Sequence, residues 1–438
     1  MLAYLLKQFC VEGLWGRTNI SLSFKDDVNI LIGPNASGKT TILNILRYAL
    51  SAELLPLSQI PFQKVSIRLR SFDGPEQECV EVLRAENGFE FVVPKGRVKV
   101  ELTRLLERFP RYLHHRAVRD IQKELGDTLR GLVPAVWLPV SRRLPIPEED
   151  DDYPRRRERP SEMESVDLRL REVIDELSRY RLGLEAKLSE RYKGFERAVM
   201  GIILYSKQHD KISSLSAPSL TSAEKDQLVK AFQAAGLMDP HMDKRIDEHF
   251  AAAEAARERL DEYERWQKGA RHADRESDSS RVRLNLEDLL IVPLIGRTND
   301  MVKAARELER DREAIFDPLR RYEATLSSFL KTKTARVEEK GLLRFDTVSS
   351  PKQRIDAHML SSGEKQIVIL LTQALLWEDR PVVYVVDEPE LSLHVTWQAK
   401  LLKSLQDLGG QIQIIVATHS PDIIGPFQDK VIDLGARQ

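Results

Sequence analysis

The stretch that decides the fold reads Gly33-Pro34-Asn35-Ala36-Ser37-Gly38-Lys39-Thr40-Thr41, directly after an apolar run at residues 28–32. A glycine, four residues, a second glycine, a lysine and a hydroxyl residue are typical of a loop that turns its backbone N–H groups around phosphates. In such a loop Lys39 reaches the β- and γ-phosphates, and the Thr40 hydroxyl can ligate Mg²⁺. The sequence therefore predicts that residues 33–41 bind a nucleotide together with Mg²⁺.

The residues on either side of this loop predict the structure that presents it. Residues 28–32 are an apolar run of the kind found in buried strands. After the loop, apolar side chains repeat at helical spacing at Ile42, Leu43, Ile45, Leu46 and Leu50. The positive N-terminal end of that helix would point at the phosphates. We expect a strand, loop and helix unit in an α/β nucleotide-binding domain.

A second apolar run, near the C-terminus, ends in carboxylates. Residues 382–386 lead into Asp387-Glu388-Pro389-Glu390. Open α/β sheets bind ligands at the carboxyl ends of their strands, so these acids should lie beside the nucleotide. We predict that Asp387 holds Mg²⁺ and that Glu388 is the catalytic base that orients or deprotonates the attacking water.

A histidine follows a third apolar run, at residues 412–416. His419 comes about 30 residues after Asp387, which is roughly the length of one βαβ unit. It should therefore emerge at the same edge of the sheet. We predict a catalytic role in which a ring N–H of His419 senses the γ-phosphate.

A serine-rich segment, Leu360-Ser361-Ser362-Gly363-Glu364, opens an apolar helix ahead of the Asp-Glu strand. The serines alone predict no more than a helix N-cap. At this position the chain resembles the ABC-type ATPases, whose signature Leu-Ser-Gly-Gly-Gln precedes the Asp-Glu strand and the switch histidine. The resemblance implies ATP hydrolysis in a head-to-tail dimer, with residues 361–364 of one subunit completing the γ-phosphate site of the other. Ser362 and Glu364 depart from the signature in a way common in the branch with long helical hairpins.

The segment from Asp387 to Gln398 narrows the resemblance. Its Asp-Glu-Pro-Glu, Leu-His and Trp-Gln pairs resemble the OLD-like and RecF-like, SMC-related ATPases, although Val395 stands where proline usually follows the histidine. OLD-type nucleases carry a TOPRIM domain after the ATPase, whereas only residues 420–438 follow His419 here. The resemblance therefore implies a separately encoded effector, expected to be a TOPRIM-type nuclease. Stand-alone ATPases of this kind occur in the PARIS and Septu anti-phage systems, and the PARIS ATPase is the most similar. A phage protein is the expected trigger.

Between the two ends of the ATPase the chain changes to long, charged helices. Two heptad seams are spaced alternately by four and three residues: Val166, Leu170, Val173, Leu177, Tyr180 and Leu184, then Ile315, Leu319, Tyr322, Leu326 and Phe329. They predict an antiparallel, coiled-coil-like hairpin inserted at residues 161–340 between ATPase halves at 1–160 and 341–438. An ordinary helical subdomain packed on the ATPase is the alternative.

Shorter patterns complete the expected fold. Alternating apolar residues at 64–72, 78–86 and 88–93, separated by Asp-Gly and Asn-Gly turns, predict antiparallel strands and hence a mixed sheet. The opposite charge runs within residues 145–160 predict a solvated loop. The fold class is therefore α/β, an ABC-type P-loop domain interrupted by a helical insertion.

Composition limits the class of protein. The chain carries 67 basic and 68 acidic residues, a formal net charge of −1, so no overall field favours nucleic acid. Two cysteines, Cys10 and Cys79, lack the spacing of a disulfide framework or a zinc site, which fits the cytoplasm. No apolar run is long enough to span a bilayer, so we expect no membrane partner.

Two other functions compete with that of a defence switch. A RecF-like or SMC-like DNA repair or DNA-tethering ATPase would bind duplex DNA, and the neutral charge leaves nucleic-acid binding open. A transporter ATPase is disfavoured by the Asp387–Gln398 segment and by the insertion. The sequence leaves the number of subunits open beyond a homodimer or a larger homo-oligomer.

Overall fold

The computed structural model describes residues 3–35, 37–94, 96–108, 114–139, 165–204, 220–270 and 286–435. The strands within these ranges are β1 (Tyr4–Leu14), β2 (Thr18–Ser23), β3 (Val28–Ile32), β4 (Lys64–Ser71), β5 (Gln77–Ala85), β6 (Gly88–Val93), β7 (Gly96–Val100), β8 (Ala135–Pro139), β9 (Lys333–Val337), β10 (Leu343–Thr347), β11 (Arg354–Ile355), β12 (Val382–Asp387), β13 (Ile412–Ala417) and β14 (Val431–Asp433). The α-helices are α1 (Lys39–Ser51), α2 (Leu54–Ser58), α3 (Leu102–Arg108), α4 (His114–Leu132), α5 (Ser165–Ile203), α6 (Ser222–Ala234), α7 (Pro240–Ala270), α8 (Leu286–Leu330), α9 (Ser362–Leu376), α10 (Val395–Leu408) and α11 (Pro421–Ile424).

The chain divides into two compact units, one of residues 1–180 with 318–438 and the other of residues 181–317. The first unit contains the sheets and the phosphate loop. The described part of the second unit is helical. The predicted α/β class with a long helical insertion is therefore confirmed. The boundaries expected at residues 160/161 and 340/341 stay a prediction.

A five-stranded sheet in the order β14-β3-β13-β12-β8 positions the candidate site. Every neighbouring pair in it is parallel. Its central strands are apolar and buried on both faces, as expected for a parallel sheet covered by helices. Ala417 at the end of β13 lies opposite both Asp387 and Leu31. The loops after β3, β12 and β13 therefore leave the sheet at one edge.

A six-stranded antiparallel sheet in the order β2-β1-β4-β5-β6-β7 forms the second layer. Its strands confirm the predicted runs at 64–72, 78–86 and 88–93 to within one residue. One buried core joins this sheet to α1 and to the parallel sheet, through side chains such as Phe9, Val65, Ile42, Leu46, Val383 and Ile415. The core holds α1, and with it the phosphate loop, between the two sheets.

Four helices build the described part of the second unit. In it, the Arg181 guanidinium of α5 lies 4.3 Å from the ring centroid of Phe316 of α8, and Arg191 pairs with Asp311 at 3.4 Å. Because the residue number rises along α5 as it falls along α8, the two helices are antiparallel, as the heptads predict. Helices α6 and α7 pack with α5 and α8 around one buried core. It contains Phe195, Val199, Leu228, Phe232, Ile246, Phe250, Val302 and Leu308. The hairpin is therefore part of a larger helical bundle.

Some sequence expectations fall outside the described residues. They include the solvated loop at 145–160 and Ala36 of the phosphate loop. In the part of the chain that is described, no helix has the length and apolar character needed to cross a membrane.

Candidate nucleotide site

The phosphate loop joins β3 to α1, as predicted. Gly38 immediately precedes α1 with φ of 87°, a left-handed conformation that favours glycine. Lys39 is the first helical residue and is only 6% exposed. Its Nζ donates to the carbonyl oxygens of Gly33 at 2.8 Å and Pro34 at 3.3 Å. The lysine charge is therefore held inside the loop, where the N-terminal dipole of α1 adds to its attraction for phosphate.

The remaining loop residues also lie where the sequence places them. Pro34 and Asn35 are exposed at the turn, Thr40 is exposed, and Thr41 is half-buried in the first turn of α1. The Ser37 hydroxyl oxygen is buried and has no hydrogen-bond partner among the described residues. Buried polar groups are normally satisfied, so this hydroxyl is available to a ligand held in the loop.

Asp387 ends β12 beside this loop. The Thr40 side chain lies close to the Asp387 carboxylate. Burial raises the pKa of Asp387, and the nearby carboxylates of Glu388 and Glu390 raise it further, against the opposing effects of Thr40 and Lys39. Oδ1 of Asp387 is buried without a hydrogen-bond partner in the described part of the chain. A carboxylate in this position favours the approach of a cation.

These donors fit Mg²⁺. The ion prefers a carboxylate and a hydroxyl together with phosphate and water oxygens, rather than a cage made only of protein groups. Thr40 and Asp387 would hold it, and a bound Mg²⁺ would neutralise charge on the β- and γ-phosphates. Among the described residues, no cluster of three or more His, Cys, Asp or Glu residues that could hold a metal occurs.

Replacing Asp387 with asparagine is expected to stabilise the ligand-free protein while removing Mg²⁺-dependent hydrolysis. Because folding raises the pKa of Asp387, the folded state binds this proton more tightly than the unfolded chain. The carboxyl therefore lowers the free energy of unfolding as pH rises from the unfolded pKa of 3.8 through the raised folded value. At neutral pH the amide avoids this cost, and calorimetry in EDTA should show a melting temperature higher by about 1–2 °C.

The stabilisation by Asp387→Asn should disappear at a pH below both pKa values. Asp407→Asn, a change on the solvent-exposed side of α10, is the matched control and should leave the melting temperature unchanged. A lower melting temperature of Asp387→Asn at neutral pH would contradict the expected burial cost.

Glu388 is the first residue beyond β12. Its φ of 51° is left-handed, which is uncommon for a residue other than glycine and often marks a functional site. Its backbone N–H donates to the carbonyl oxygen of Ala417 at 2.8 Å. The backbone is thus tied to the end of β13, while the side chain is half-buried at the edge where the phosphate loop begins. Its role as catalytic base stays a prediction.

His419 reaches the same edge from β13. Thr418 before it and Ser420 after it are buried, whereas His419 is exposed. The His419 backbone N–H donates to Oε1 of Glu390 at 2.7 Å. The structure therefore brings Lys39, Asp387, Glu388 and His419 to one edge. That a ring N–H of His419 contacts the γ-phosphate remains a prediction.

Within the serine-rich segment, the capping interpretation describes the observed contacts of Ser361 and Glu364. Ser361 is the N-cap of α9, and its hydroxyl accepts the Glu364 backbone N–H at 3.3 Å. The Glu364 carboxylate in turn accepts the Ser361 backbone N–H at 2.8 Å and pairs with Lys333. Although burial alone would raise it, these contacts lower the pKa of Glu364. Within one subunit, Glu364 therefore fixes the start of α9.

The other two residues of this segment differ in their surroundings. Ser362, the first residue of α9, is exposed. Gly363 is buried, and a Cβ on it would lie 2.4 Å from the carbonyl oxygen of Ser392, in the loop after β12. Only glycine allows this close approach. Gly363 thus joins the start of α9 to the Asp-Glu loop, and contact of residues 361–364 with a second subunit remains a prediction.

Trp15 is a candidate site residue that the sequence analysis missed. It lies in the turn between β1 and β2, has φ of 51° and is 55% exposed. Its ring atom Cη2 lies 3.8 Å from the position that a Cβ on Gly38 would occupy. An exposed indole beside the phosphate loop can stack on a nucleotide base. The only sequence signal was a tryptophan in a turn bounded by Gly13 and Gly16.

Trp15→Ala is expected to weaken ATP binding by about 5- to 30-fold, because it removes base stacking. Trp15→Tyr should keep most of the affinity. Titration with a fluorescent ATP analogue measures both, and Trp266→Ala, which removes a partly exposed tryptophan of the other unit, is the control. Equal affinities of Trp15→Ala and the wild type would show that the indole does not contact the base.

The chain is similar to one described family and to proteins described as ATPases or ATP-binding proteins. A family model described as "AAA domain, putative AbiEii toxin, Type IV TA system" matches residues 28–125 and 116–425. The chain is 22% identical over 414 residues to "Retron Ec83 probable ATPase" of Escherichia coli, covering 92% of this chain and 66% of that protein. It is 35% identical over 88 residues to "Peptidoglycan transport ATP-binding protein YejF" of Agrobacterium fabrum, covering 19% of this chain and 16% of that protein.

A further match is 31% identical over 112 residues to "Dipeptide transport ATP-binding protein DppD" of Haemophilus influenzae, covering 24% of this chain and 33% of that protein. The chain thus spans between 16% and 66% of the length of these three curated relatives. Among solved structures, an Smc head domain with an extended coiled coil from Pyrococcus furiosus, bound to the C-terminal domain of ScpA, has a TM-score of 0.45 and 13% identity. That match covers 98% of this chain and 93% of the other.

Proposed function

Because this chain belongs to the family described as "AAA domain, putative AbiEii toxin, Type IV TA system", we propose that it is the ATP-driven switch subunit of a bacterial anti-phage defence complex. The chain is a P-loop ATPase of ABC type. In the proposed complex it senses a trigger, a phage protein, and controls a separately encoded effector, a TOPRIM-type nuclease. ATP acts there as a conformational signal.

One observation carries the proposal for ATP chemistry. The loops that bear Lys39, Asp387, Glu388 and His419 leave a single parallel sheet at one edge. There Ala417 of β13 lies opposite Asp387 of β12 and Leu31 of β3. In-line phosphoryl transfer depends mainly on positioning and on neutralising charge, with few covalent steps for the protein to perform. A buried lysine, two half-buried carboxylates and an exposed histidine meet those needs.

Each residue has a separate task in the proposed reaction. Lys39 and the N-terminus of α1 neutralise the β- and γ-phosphates, while Thr40 and Asp387 hold Mg²⁺. Glu388 orients the attacking water and accepts its proton. His419 donates a ring N–H to the γ-phosphate and so reports whether that phosphate is present.

The proposed assembly is a homodimer or a larger homo-oligomer. In each subunit, residues 1–160 and 341–438 form the two halves of one ATPase domain. The domains of two subunits meet head to tail, so that residues 361–364 of one subunit complete the site of its partner. The segment 161–340 is the helical insertion. Within this insertion, α5 and α8 pair antiparallel.

The defence assignment is supported by the family and by one relative whose match covers 92% of this chain. The description of the matched family names a putative toxin of a toxin–antitoxin system. The relative whose match covers 92% of this chain is described as a probable retron ATPase. Both descriptions fit an ATPase whose activity serves a defence system with other components. The PARIS type of system is our more specific proposal, and it rests on the sequence resemblance alone.

The proposal is tested by co-expressing the chain with the products of its neighbouring genes. Affinity purification with and without ATP should recover an effector whose retention depends on the nucleotide, and cells carrying the set should resist phage. Lys39→Ala should abolish the resistance. If no neighbour co-purifies and Lys39→Ala leaves phage plating unaltered, the defence role fails. ATP-dependent binding of duplex DNA by the purified chain would then support the DNA-repair alternative.

A further inference from the structure

The segment Asp387–Gln398 contains two polar residues to which the ATPase chemistry above gives no task. Glu390 lies three residues after Asp387, and Gln398 lies in the first turn of α10. Both side chains point towards the loop that carries His419, and both make specific hydrogen bonds with it.

Glu390 holds the backbone of the histidine itself. Its Oε1 accepts the His419 backbone N–H at 2.7 Å, a length typical of a charge-assisted hydrogen bond. Its second oxygen, Oε2, is buried and accepts no hydrogen bond from any described residue. A half-satisfied buried carboxylate is costly, so its presence calls for a compensating role.

Gln398 holds the next residue along the same loop. Its Oε1 accepts the Ser420 hydroxyl at 2.6 Å. Its Nε2 donates to the carbonyl oxygen of Leu393 at 2.9 Å and lies 3.4 Å from that of Glu390. The amide thus connects the loop after β12 to the loop after β13. Because both polar ends of the amide are used, its orientation is fixed by its partners.

Ser420 continues the connection into α11. Besides donating to Gln398, its hydroxyl accepts the backbone N–H groups of Asp422 at 3.2 Å and Ile423 at 3.4 Å. His419 is therefore fixed on both sides, at its own N–H by Glu390 and through its neighbour by Gln398. Its side chain is exposed, so these backbone contacts decide where the ring can reach.

We propose that Glu390 and Gln398 are positioning residues that hold the His419 loop in register with the Asp387–Glu388 end of β12. The inference rests on the proposed ATPase function of the site and deepens it, because it assigns the hydrogen bonds that set the reach of His419. Neither residue is given contact with the nucleotide in this assignment. Their effect on turnover passes through His419.

The hydrogen-bond chemistry of Glu390 gives a direct test. Glu390→Ala removes the acceptor of the His419 N–H and should lower kcat by about 10- to 100-fold, with a change in the KM for ATP of less than about threefold. Glu390→Gln retains a carbonyl oxygen that can accept the same N–H, and it should restore most of the lost turnover. Gln398→Ala should also lower kcat more than it changes KM. Steady-state phosphate release measures all three.

A double-mutant cycle tests whether the effect passes through the histidine. If Glu390 acts by placing His419, adding Glu390→Ala to His419→Ala should slow turnover by no more than about twofold beyond His419→Ala alone. If the double variant instead loses turnover by the product of the two single effects, the proposal is overturned. A Glu390→Gln variant as slow as Glu390→Ala would also overturn it, because that result assigns Glu390 a role through its charge.

Two controls separate this inference from the function on which it rests. Asp407→Ala, at the far end of α10, should leave kcat unchanged, and thermal unfolding of each variant identifies any that fail to fold. A folded wild-type chain without ATP turnover removes the proposed function and this inference with it. The positioning role alone is overturned if the wild type turns over normally, His419→Ala lowers this turnover, and Glu390→Ala folds but keeps the turnover of the wild type.

Discussion

Lys39→Ala is expected to reduce ATP hydrolysis to background and to weaken nucleotide binding strongly. Lys39 is 6% exposed, and its ammonium lies within hydrogen-bond distance of two carbonyl oxygens of its own loop. The ammonium is therefore held beside the position that a bound phosphate would take. Removing one charge-assisted contact to a triphosphate is expected to lower turnover by at least about 100-fold. Phosphate release and equilibrium binding of ATP measure the two effects separately.

The control for Lys39→Ala is a lysine outside the site. Lys123→Ala, on an exposed position of α4, makes the same chemical change and should retain full activity. The alanine variant at position 39 should still fold, because position 39 lies in the first turn of α1 and alanine has a high helix propensity. Full hydrolysis by a folded Lys39→Ala protein would remove the phosphate loop from the catalytic site.

Glu388→Gln is expected to separate binding from chemistry. The amide keeps the size of the side chain and leaves the hydrogen bond from the backbone N–H to Ala417 in place, but it cannot accept the proton of the attacking water. Turnover should fall by about 100- to 1,000-fold while ATP affinity stays near that of the wild type. The protein should then accumulate as an ATP-bound dimer with a larger mass in light scattering.

Glu254→Gln makes the matched change at an exposed position of α7 and should alter neither turnover nor mass. Two outcomes for Glu388→Gln have different meanings. Unchanged turnover would exclude Glu388 as the base. Slow turnover without any increase in mass on adding ATP would keep the base but contradict the head-to-tail dimer.

Local patterns in the sequence were sufficient to predict the elements of the ATPase. The phosphate loop, the helix after it and the strands at 28–32, 382–387 and 412–417 follow from residue spacing and from apolar runs, which act over a few neighbours in the chain. The close agreement of the antiparallel strands has the same origin, since Asp-Gly and Asn-Gly turns set their ends. The heptads likewise predicted the antiparallel pairing of α5 and α8.

Contacts between distant segments could not be predicted in this way. Trp15 and Gly38 are far apart in the chain, yet the β1–β2 turn brings the indole to the phosphate loop. Glu364 was expected in a site shared between subunits, and within its own subunit it caps α9 and pairs with Lys333. The approach of Trp15 to Gly38 and the pairing of Glu364 with Lys333 both depend on how separate elements pack, so local spacing does not predict them.

The sequence by itself determined the class of this protein, and it predicted the residues of the candidate site. Glycine, lysine, hydroxyl and carboxylate residues at these spacings have few other uses, and the covalent chain carries their spacing directly. The tertiary structure alone decided which loops meet, because the parallel register of β3, β13 and β12 sets the edge at which each strand ends. It also decided that Glu390 and Gln398 hold the loop of His419, since hydrogen bonds between separate loops form only after the strands have paired.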